Sequence, residues 1–365
     1  MKFLRRTLFA FLLIAVCLCM IPQQAEAATI VKSGTCGENL TWKLDSAGTL
    51  TVSGKGEMTD YYPGYGPWDT VRDSIKKIVI GNGVTKIGTH AFAGCENVTQ
   101  VVISDSVEEI GNFAFSFNTS LKTIELPSKL QSIGQQAFWC CYSLEKIVLP
   151  GSLSFIDACV FENCTSLTDV VIKGGDAPML TLGNSVFRGC TKLKEIKVEN
   201  HFSLYAVDGV LYCADVFHQY PIGKQDPYLQ IQSGTKRVEQ FSAEDAVYLQ
   251  EIVFPAEVEY IGGYAFSGCG ALTEVTIPNS LKTIGNWSFS DCGKLSSILI
   301  PDGVEILKGG AFYGCKHLMH VTLPQSVNHI ENNTFAKCPN LTIRAPVGSY
   351  AEQYAKENDI PFVAE

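Results

Sequence analysis

The stretch Leu130–Pro150 (LQSIGQQAFWCCYSLEKIVLP) follows the pattern V-x-x-I-G-x-x-A-F-x-x-C-x-x-L-x-x-I-x-I-P, which recurs along most of this 365-residue chain. A small residue followed by Phe marks each copy. Within two runs, neighbouring copies are 23 residues apart, or 26 apart where extra residues occupy 174–178. A fixed period of this length is the signature of a solenoid, in which each repeat forms one coil and stacks on the next. The marker residues are Phe92, Phe115, Phe138, Phe161, Phe187, Phe266, Phe289, Phe312 and Phe335.

Each position of the pattern has a physical role. The segment Leu144–Leu149 has the spacing L-x-x-L-x-L, which predicts a short strand whose alternate side chains point inward. Pro150 lacks an N–H and ends the strand, whereas Gly134 is expected to permit a turn. Phe138 and Cys141 then lie inside the coil, and stacking at about 4.8 Å aligns equivalent residues into columns. The sequence therefore predicts a β-rich, α/β-type, right-handed solenoid with a parallel sheet on its concave face.

This unit resembles the BspA-like leucine-rich repeat family of bacterial and protozoan surface proteins. The resemblance covers about residues 78–345, and both flanks also fit it. It implies a curved parallel-sheet solenoid and a secreted or cell-surface location. It also implies a role in adhesion to host matrix proteins or to other cells, which is known for some members only.

The N-terminus has the features of a secretory signal peptide. Basic residues in Met1–Arg6 precede the apolar run Leu8–Ile21, and Ala25–Ala27 provides a small-x-small cleavage site. We expect cleavage after Ala27, and no later stretch is apolar enough for a membrane span. The formal net charge of −9 disfavours nucleic acid as a partner, because nucleic acid binding requires clustered Lys and Arg.

Both flanks of the repeats are predicted to be caps. Residues 28–77 contain two alternating runs joined by a turn, which predicts a β-hairpin cap. The aromatic residues that follow this hairpin either shield the first coil or form a platform for a glycan or cell-wall polymer; they are Tyr61, Tyr62, Tyr65 and Trp68. Residues 346–365 contain an amphipathic segment that predicts a C-terminal helical cap.

The repeat period is interrupted in the middle of the chain. Repeats occupy 78–198 and 237–345, and the intervening residues 199–236 contain Val207–Val210, a turn that predicts a hairpin-like insertion. The next coil is degenerate, with Ala243 in place of Phe and Ala246 in place of Cys. The insertion is either a tolerated interruption of the stack or a loop over a binding face.

The positions of the cysteines predict a structural role for most of them rather than a catalytic or metal-binding one. Eight of them occupy the repeat position, where Asn118 substitutes once, and these are expected to be buried, unreactive thiols. Four others are candidates for disulfides or reactive thiols, with the pairing open: Cys36, Cys140, Cys159 and Cys213. The ligand spacing of a zinc site and the common catalytic motifs are both missing, so we expect no metal, no cofactor and no enzymatic activity.

The solvent-facing strand positions are the candidate ligand site. Valines recur in a row that should lie in water, and exposed apolar clusters commonly mark interaction surfaces. The sequence therefore predicts that the concave face binds an extracellular protein or peptide, with a glycan as the alternative ligand. The candidate residues are Val102, Glu125, Lys146, Val148, Asp169, Val171, Glu195, Lys197, Glu251, Val253, Glu274 and Leu299.

Overall fold

The computed structural model describes residues 28–175 and 179–365, so the predicted signal peptide lies outside the described residues. The first fifteen strands are β1 Ile30–Gly37, β2 Leu40–Asp45, β3 Thr49–Gly54, β4 Gly56–Glu57, β5 Lys77–Ile80, β6 Val84–Ile87, β7 Gln100–Ile103, β8 Glu109–Ile110, β9 Thr123–Ile124, β10 Ser132–Ile133, β11 Lys146–Leu149, β12 Phe155–Ile156, β13 Asp169–Lys173, β14 Thr181–Leu182 and β15 Glu195–Glu199. A 3₁₀ helix spans Asp69–Ser74.

The later elements follow the same rhythm after an irregular segment. They are β16 Leu204–Val207, β17 Val210–Cys213, β18 Val216–Gln219, β19 Tyr228–Gln230, β20 Arg237–Val238, β21 Glu251–Val253, β22 Tyr260–Ile261, β23 Glu274–Thr276, β24 Thr283–Ile284, β25 Ser297–Leu299, β26 Ile306–Leu307, β27 His320–Thr322, β28 His329–Ile330, β29 Thr342–Ala345, α1 Tyr350–Glu357 and β30 Phe362–Ala364.

The coils stack into parallel sheets, as the repeat predicts. The longer strands form the sheets β1-β2-β3-β5-β7-β9-β11-β13-β15, β19-β21-β23 and β25-β27-β29-β30. A second set of short strands, which the sequence analysis did not predict, forms β14-β12-β10-β8-β6-β4 and β16-β17-β18-β20-β22-β24-β26-β28. These short strands hold the V-x-x-I part of the repeat, where Ile133 pairs with Ile110 on one side and Ile156 on the other. Each regular coil thus has two strands.

The marker Phe residues form a continuous core column in each run. Phe115, Phe138 and Phe161 are fully buried, and their ring centroids are 5.4 and 5.3 Å apart with planes within 8°. Trp68 adds one more ring before Phe92, and Tyr354 of α1 packs edge-on at the opposite end. Complete burial of such a side chain contributes about 1.5–3 kcal/mol, so the column is a principal source of stability.

The repeat cysteines form a second column with a specific partner. The Cys164 thiol donates to the carbonyl oxygen of Phe138 in the preceding coil at 3.3 Å, and Cys141 does the same to Phe115 at 3.2 Å. At the equivalent position the Asn118 amide donates to the Phe92 carbonyl oxygen at 2.9 Å. Cys and Asn are interchangeable here because each can donate a hydrogen bond to the buried Phe carbonyl oxygen of the preceding coil.

The structure corrects the role assigned to the repeat glycine. Gly134 does not adopt a left-handed φ; instead, a Cβ there would lie 2.7 Å from the backbone nitrogen of Asn112 in the previous coil. Left-handed residues occur two and six positions later, at Gln136 (φ 54°) and Cys140 (φ 58°). Glycine is therefore required for the close approach of two coils, and the turn is made by residues with side chains.

The insertion is built into the solenoid. Its strands β16 and β17 form the predicted hairpin, with left-handed Asp208 and Gly209 at the turn. Strand β18 then pairs in parallel with β20, and β19 pairs with β21, so the segment supplies strands to both sides of the stack. The alternative of a loop that merely hangs over a face is wrong for β18 and β19.

The core divides at the insertion. One cluster of buried residues extends from Cys36 to Leu211 and a second from Val210 to Ala355. The Phe column stops because Ala243 replaces the aromatic ring, and Phe217 of β18 approaches Phe266 at 6.4 Å instead. A residue of the insertion therefore starts the second column.

Candidate functional site

The candidate residues of the first run lie side by side on one sheet. Alternation buries Ile147 and Leu149 of β11 and leaves Val148 exposed between them, with 43% of its surface accessible. The parallel register sets Val148 directly beside the half-buried Val171 of β13. Val102 of β7 is also 43% exposed. The strand face is defined here as Val102, Glu125, Lys146, Val148, Asp169, Val171, Glu195 and Lys197.

Charged side chains border these valines. Lys146, Asp169 and Glu195 occupy the same register position in β11, β13 and β15. Lys197 Nζ lies 2.7 Å from Glu195 Oε1, and this hydrogen bond raises the pKa of Lys197. Glu125 follows the two-residue strand β9 and is exposed. Val148 and Val171 are thus the apolar part of the strand face, and charged side chains surround them, since Glu125 separates Val148 from Val102 in the same row.

The insertion bounds the strand face at one end. The Gly209 carbonyl oxygen accepts a hydrogen bond of 2.9 Å from Ile196 N, so the hairpin tip lies against the edge of β15. Lys224 Nζ donates to the Asp208 carbonyl oxygen at 2.8 Å. Asp208 and Lys224 are not among the candidates predicted from the sequence, although the Asp-Gly turn is visible there. A cavity of about 530 Å³ opens here, lined by Thr168, Asp169, Lys194, Glu195, Asp208, Gly209 and Lys224.

The four remaining candidates lie beyond the hairpin in other sheets. Glu251 and Val253 belong to β21 and Glu274 to β23, in the three-stranded sheet, whereas Leu299 belongs to β25 of the four-stranded sheet. Leu299 is 66% exposed and stands in no row of exposed valines. The structure therefore unites eight of the twelve candidates in one sheet and separates the rest.

The predicted aromatic platform does not form. Trp68 is fully buried, stacks 4.9 Å from Phe92, and donates through Nε1 to the Ala91 carbonyl oxygen. Tyr61 is half-buried, and its hydroxyl group donates to the Cys36 carbonyl oxygen at 3.2 Å. Only Tyr62 and Tyr65 are exposed. Trp68 therefore takes the first of its two predicted roles, shielding the first coil, and is not available to a platform; its spacing of 24 residues before Phe92 was the available signal.

The four cysteines outside the repeat position are free thiols. Cys36 and Cys140 are buried, and Cys159 and Cys213 are half-buried. Burial raises the pKa of Cys36 and of Cys159 to about 11, so both remain protonated at neutral pH. The structure pairs none of the four in a disulfide, and the raised pKa values disfavour a reactive thiolate at Cys36 or Cys159.

Comparison with known families identifies this architecture. The model of the BspA type leucine-rich repeat region matches residues 71–194 and 229–348 in six copies, which is more than half of the chain. The chain belongs to the BspA-type leucine-rich repeat family. The matched ranges contain ten of the twelve strand candidates; Glu195 and Lys197 lie just beyond the first range, in the unmatched residues 195–228. No curated protein matches the chain significantly.

Solved structures of similar repeat proteins agree with this assignment. A leucine-rich repeat protein from Eubacterium ventriosum is 26% identical with a TM-score of 0.72, over 85% of this chain and 90% of that one. A leucine-rich cell surface protein from Faecalibacterium prausnitzii is 25% identical with a TM-score of 0.66, over 89% and 97%. The pneumococcal vaccine antigen PcpA, at 24% identity, a TM-score of 0.71 and coverages of 92% and 99%, supports the fold alone.

Across residues 28–175 and 179–365, no helix is long and apolar enough to cross a bilayer.

Proposed function

We propose that this protein acts outside the cell, in secreted or surface-attached form, and binds a protein partner through the strand face. The observation that carries the proposal is the adjacent, solvent-facing pair Val148 and Val171 in a regular parallel sheet. Contact with host matrix proteins or with other cells is the adhesive role that such binding would serve.

The composition of the strand face supports a protein ligand. Apolar centres with polar margins are typical of protein interfaces, where the buried middle supplies affinity and the charged rim supplies orientation. Here the pair Val148 and Val171 forms the apolar centre, and charged side chains form the margin, among them Lys146, Asp169 and Glu195. The rigid sheet presents them without loss of backbone entropy on binding.

The test is a binding screen followed by two matched variants. The purified protein is screened against immobilised extracellular matrix proteins, and hits are measured with the Val148→Lys/Val171→Lys double variant. We expect affinity to fall by about tenfold or more, because two charges would be buried in an apolar contact. Phe155→Lys is the control, since it adds a charge at a 40% exposed site on the other side of the same coil. Equal affinity of the double variant and the unaltered protein would refute the proposal.

A further inference from the structure

Aromatic residues occupy the left-handed positions of three consecutive coils in the second run. Phe241, Tyr264 and Trp287 have φ values of 58°, 56° and 56°. The rings of Phe241 and Tyr264 stack at 5.0 Å, and those of Tyr264 and Trp287 at 6.1 Å. The left-handed conformation belongs to this position of the repeat, since Gln136 and Cys159 also adopt it, and what these three coils share is that the residue is aromatic. The three rings form a fixed, half-buried aromatic column on the surface.

Tyr260 stands next to this column and is 40% exposed. The register of β20, β22 and β24 places Tyr260 between Arg237 and Thr283. The Arg237 guanidinium covers one face of the ring at 5.3 Å from its centroid. Thr283, on the other side, is too short to cover the opposite face.

A cleft of about 250 Å³ opens between Tyr260 and the aromatic column. Two glycines, Gly263 and Gly285, line it together with the edges of Phe241 and Tyr264. The polar lining is provided by Gln240, Thr283, Asn286 and Lys308. We call this the Tyr260 cleft.

The polar groups of the Tyr260 cleft are available but carry little net charge. Gln240, Thr283 and Asn286 contribute amide and hydroxyl groups to the lining, where the first two side chains are half-buried and the third is exposed. The Lys308 ammonium is neutralised by Glu331 at 2.8 Å, and this contact lowers the pKa of Glu331. The cleft therefore offers hydroxyl and amide groups to a neutral polar ligand.

We propose that the Tyr260 cleft binds a neutral pyranose unit of an extracellular glycan. A sugar ring has an apolar C–H face, which suits the free face of Tyr260, and hydroxyl groups, which suit Gln240 and Asn286. Tyrosine is well adapted to such contacts because it combines an apolar ring with a polar tip. A wholly apolar ligand would leave the amide groups of Gln240 and Asn286 without hydrogen bonds. An anionic ligand would find the Lys308 ammonium group already paired with Glu331.

The test uses the purified protein and a panel of neutral oligomers of glucose, galactose, mannose and N-acetylglucosamine, with sialylated oligosaccharides as the charged comparison. Binding is measured by titration calorimetry and by the fluorescence of Trp287, which Trp287→Phe removes. For any neutral oligomer that binds, we expect Tyr260→Ala and Asn286→Ala each to weaken binding by about tenfold. Thr283→Trp should abolish it by filling the space above Tyr260.

The chain provides a matched control for Tyr260. Phe155 has the same register position in β12, is likewise 40% exposed, and lies between Ser132 and Thr181 without a guanidinium group. Phe155→Ala should leave sugar binding unchanged, and thermal unfolding followed by circular dichroism verifies that each variant is folded.

Three outcomes would overturn the inference: no neutral oligomer binds, only the sialylated sugars bind, or Tyr260→Ala and Thr283→Trp bind as the unaltered protein does. Sugar binding in the Tyr260 cleft does not depend on the strand face. The Val148→Lys/Val171→Lys variant should retain full sugar binding, so the two proposals can fail separately.

Discussion

Arg188 Nη2 donates a hydrogen bond to Glu244 Oε1 at 3.0 Å, although 56 residues of chain separate the two. Arg188 belongs to the last coil of the first run, and Glu244 to the degenerate coil after the insertion. The same guanidinium lies 3.4 Å from Glu162 and 4.5 Å above the ring of Phe241. One side chain therefore joins the two runs of repeats across the point where the Phe column is interrupted.

Removing this link should weaken the junction. Burial raises the pKa of Glu244, and Arg188 opposes that shift, so Arg188→Ala leaves Glu244 and Glu162 without their counter-charge. We expect a loss of about 1–3 kcal/mol in the free energy of unfolding, less than for a fully buried pair because Arg188 is partly exposed. Urea unfolding should also become less cooperative. Lys282→Ala is the control, since both partners of the Lys282–Glu305 ion pair are exposed. An equal loss of stability in this variant would contradict the role of Arg188 as a link between the two runs.

The Phe column should be sensitive to loss of a ring. Phe138→Ala removes a fully buried ring that is stacked on Phe115 and Phe161. We expect destabilisation of about 3–5 kcal/mol, because stacked coils cannot collapse into the cavity without disturbing both neighbours. Phe155→Ala, at an exposed site, should cost far less. Thermal unfolding of the two variants measures the difference, and equal destabilisation would argue against the column as a main source of stability.

The correction to the glycine role gives a paired test within one coil. Gly134→Ala should destabilise the protein by more than about 1 kcal/mol, because the new Cβ would contact the backbone of Asn112. Gln136→Gly should be neutral or stabilising, since glycine adopts a φ of 54° without steric cost. Chemical unfolding of both variants decides the matter. If Gly134→Ala were neutral and Gln136→Gly destabilising, the turn would have to be assigned to Gly134 after all.

The buried thiols should make the fold sensitive to alkali. Burial raises the pKa of Cys141, Cys190 and Cys269 from 9.0 to about 12. The folded chain therefore retains protons that the unfolded chain loses, and rising pH favours unfolding. Between pH 9 and 12, each such thiol should reduce the free energy of unfolding by up to about 1.4 kcal/mol per pH unit, whereas below about pH 8 the unfolded thiol is also protonated and the effect is negligible.

The measurement is urea unfolding at pH 7.5, 9 and 10.5. Cys141→Ser/Cys190→Ser should show a shallower decline with pH than the unaltered protein, because two titrating groups are gone. The comparison uses the slope with pH, so a general loss of packing in the variant does not affect it. An identical slope would show that these thiols do not titrate differently on unfolding.

Local periodicity allowed much of the fold to be predicted. The burial of Phe138 and Cys141 and the exposure of Val148 follow from positions in a repeat, since every regular coil places the same position in the same environment. The two-residue strands were missed because a run such as Ser132–Ile133 is too short to show alternation. The sequence left Trp68 open between a cap and a glycan platform, and only the structure shows the ring stacked on Phe92.

The sequence by itself determined the coil: which residues point inward, where each strand ends, and which family the repeat resembles. It could do so because those choices depend on residues within one period of 23. The same period sets Val148 beside Val171 and Tyr260 beside Thr283, because each pair is one repeat apart. Only the tertiary structure decided the contacts that break the period. Asp208 beside Glu195 and Arg188 on Glu244 depend on how the insertion is threaded between the two runs, which no residue within one coil specifies.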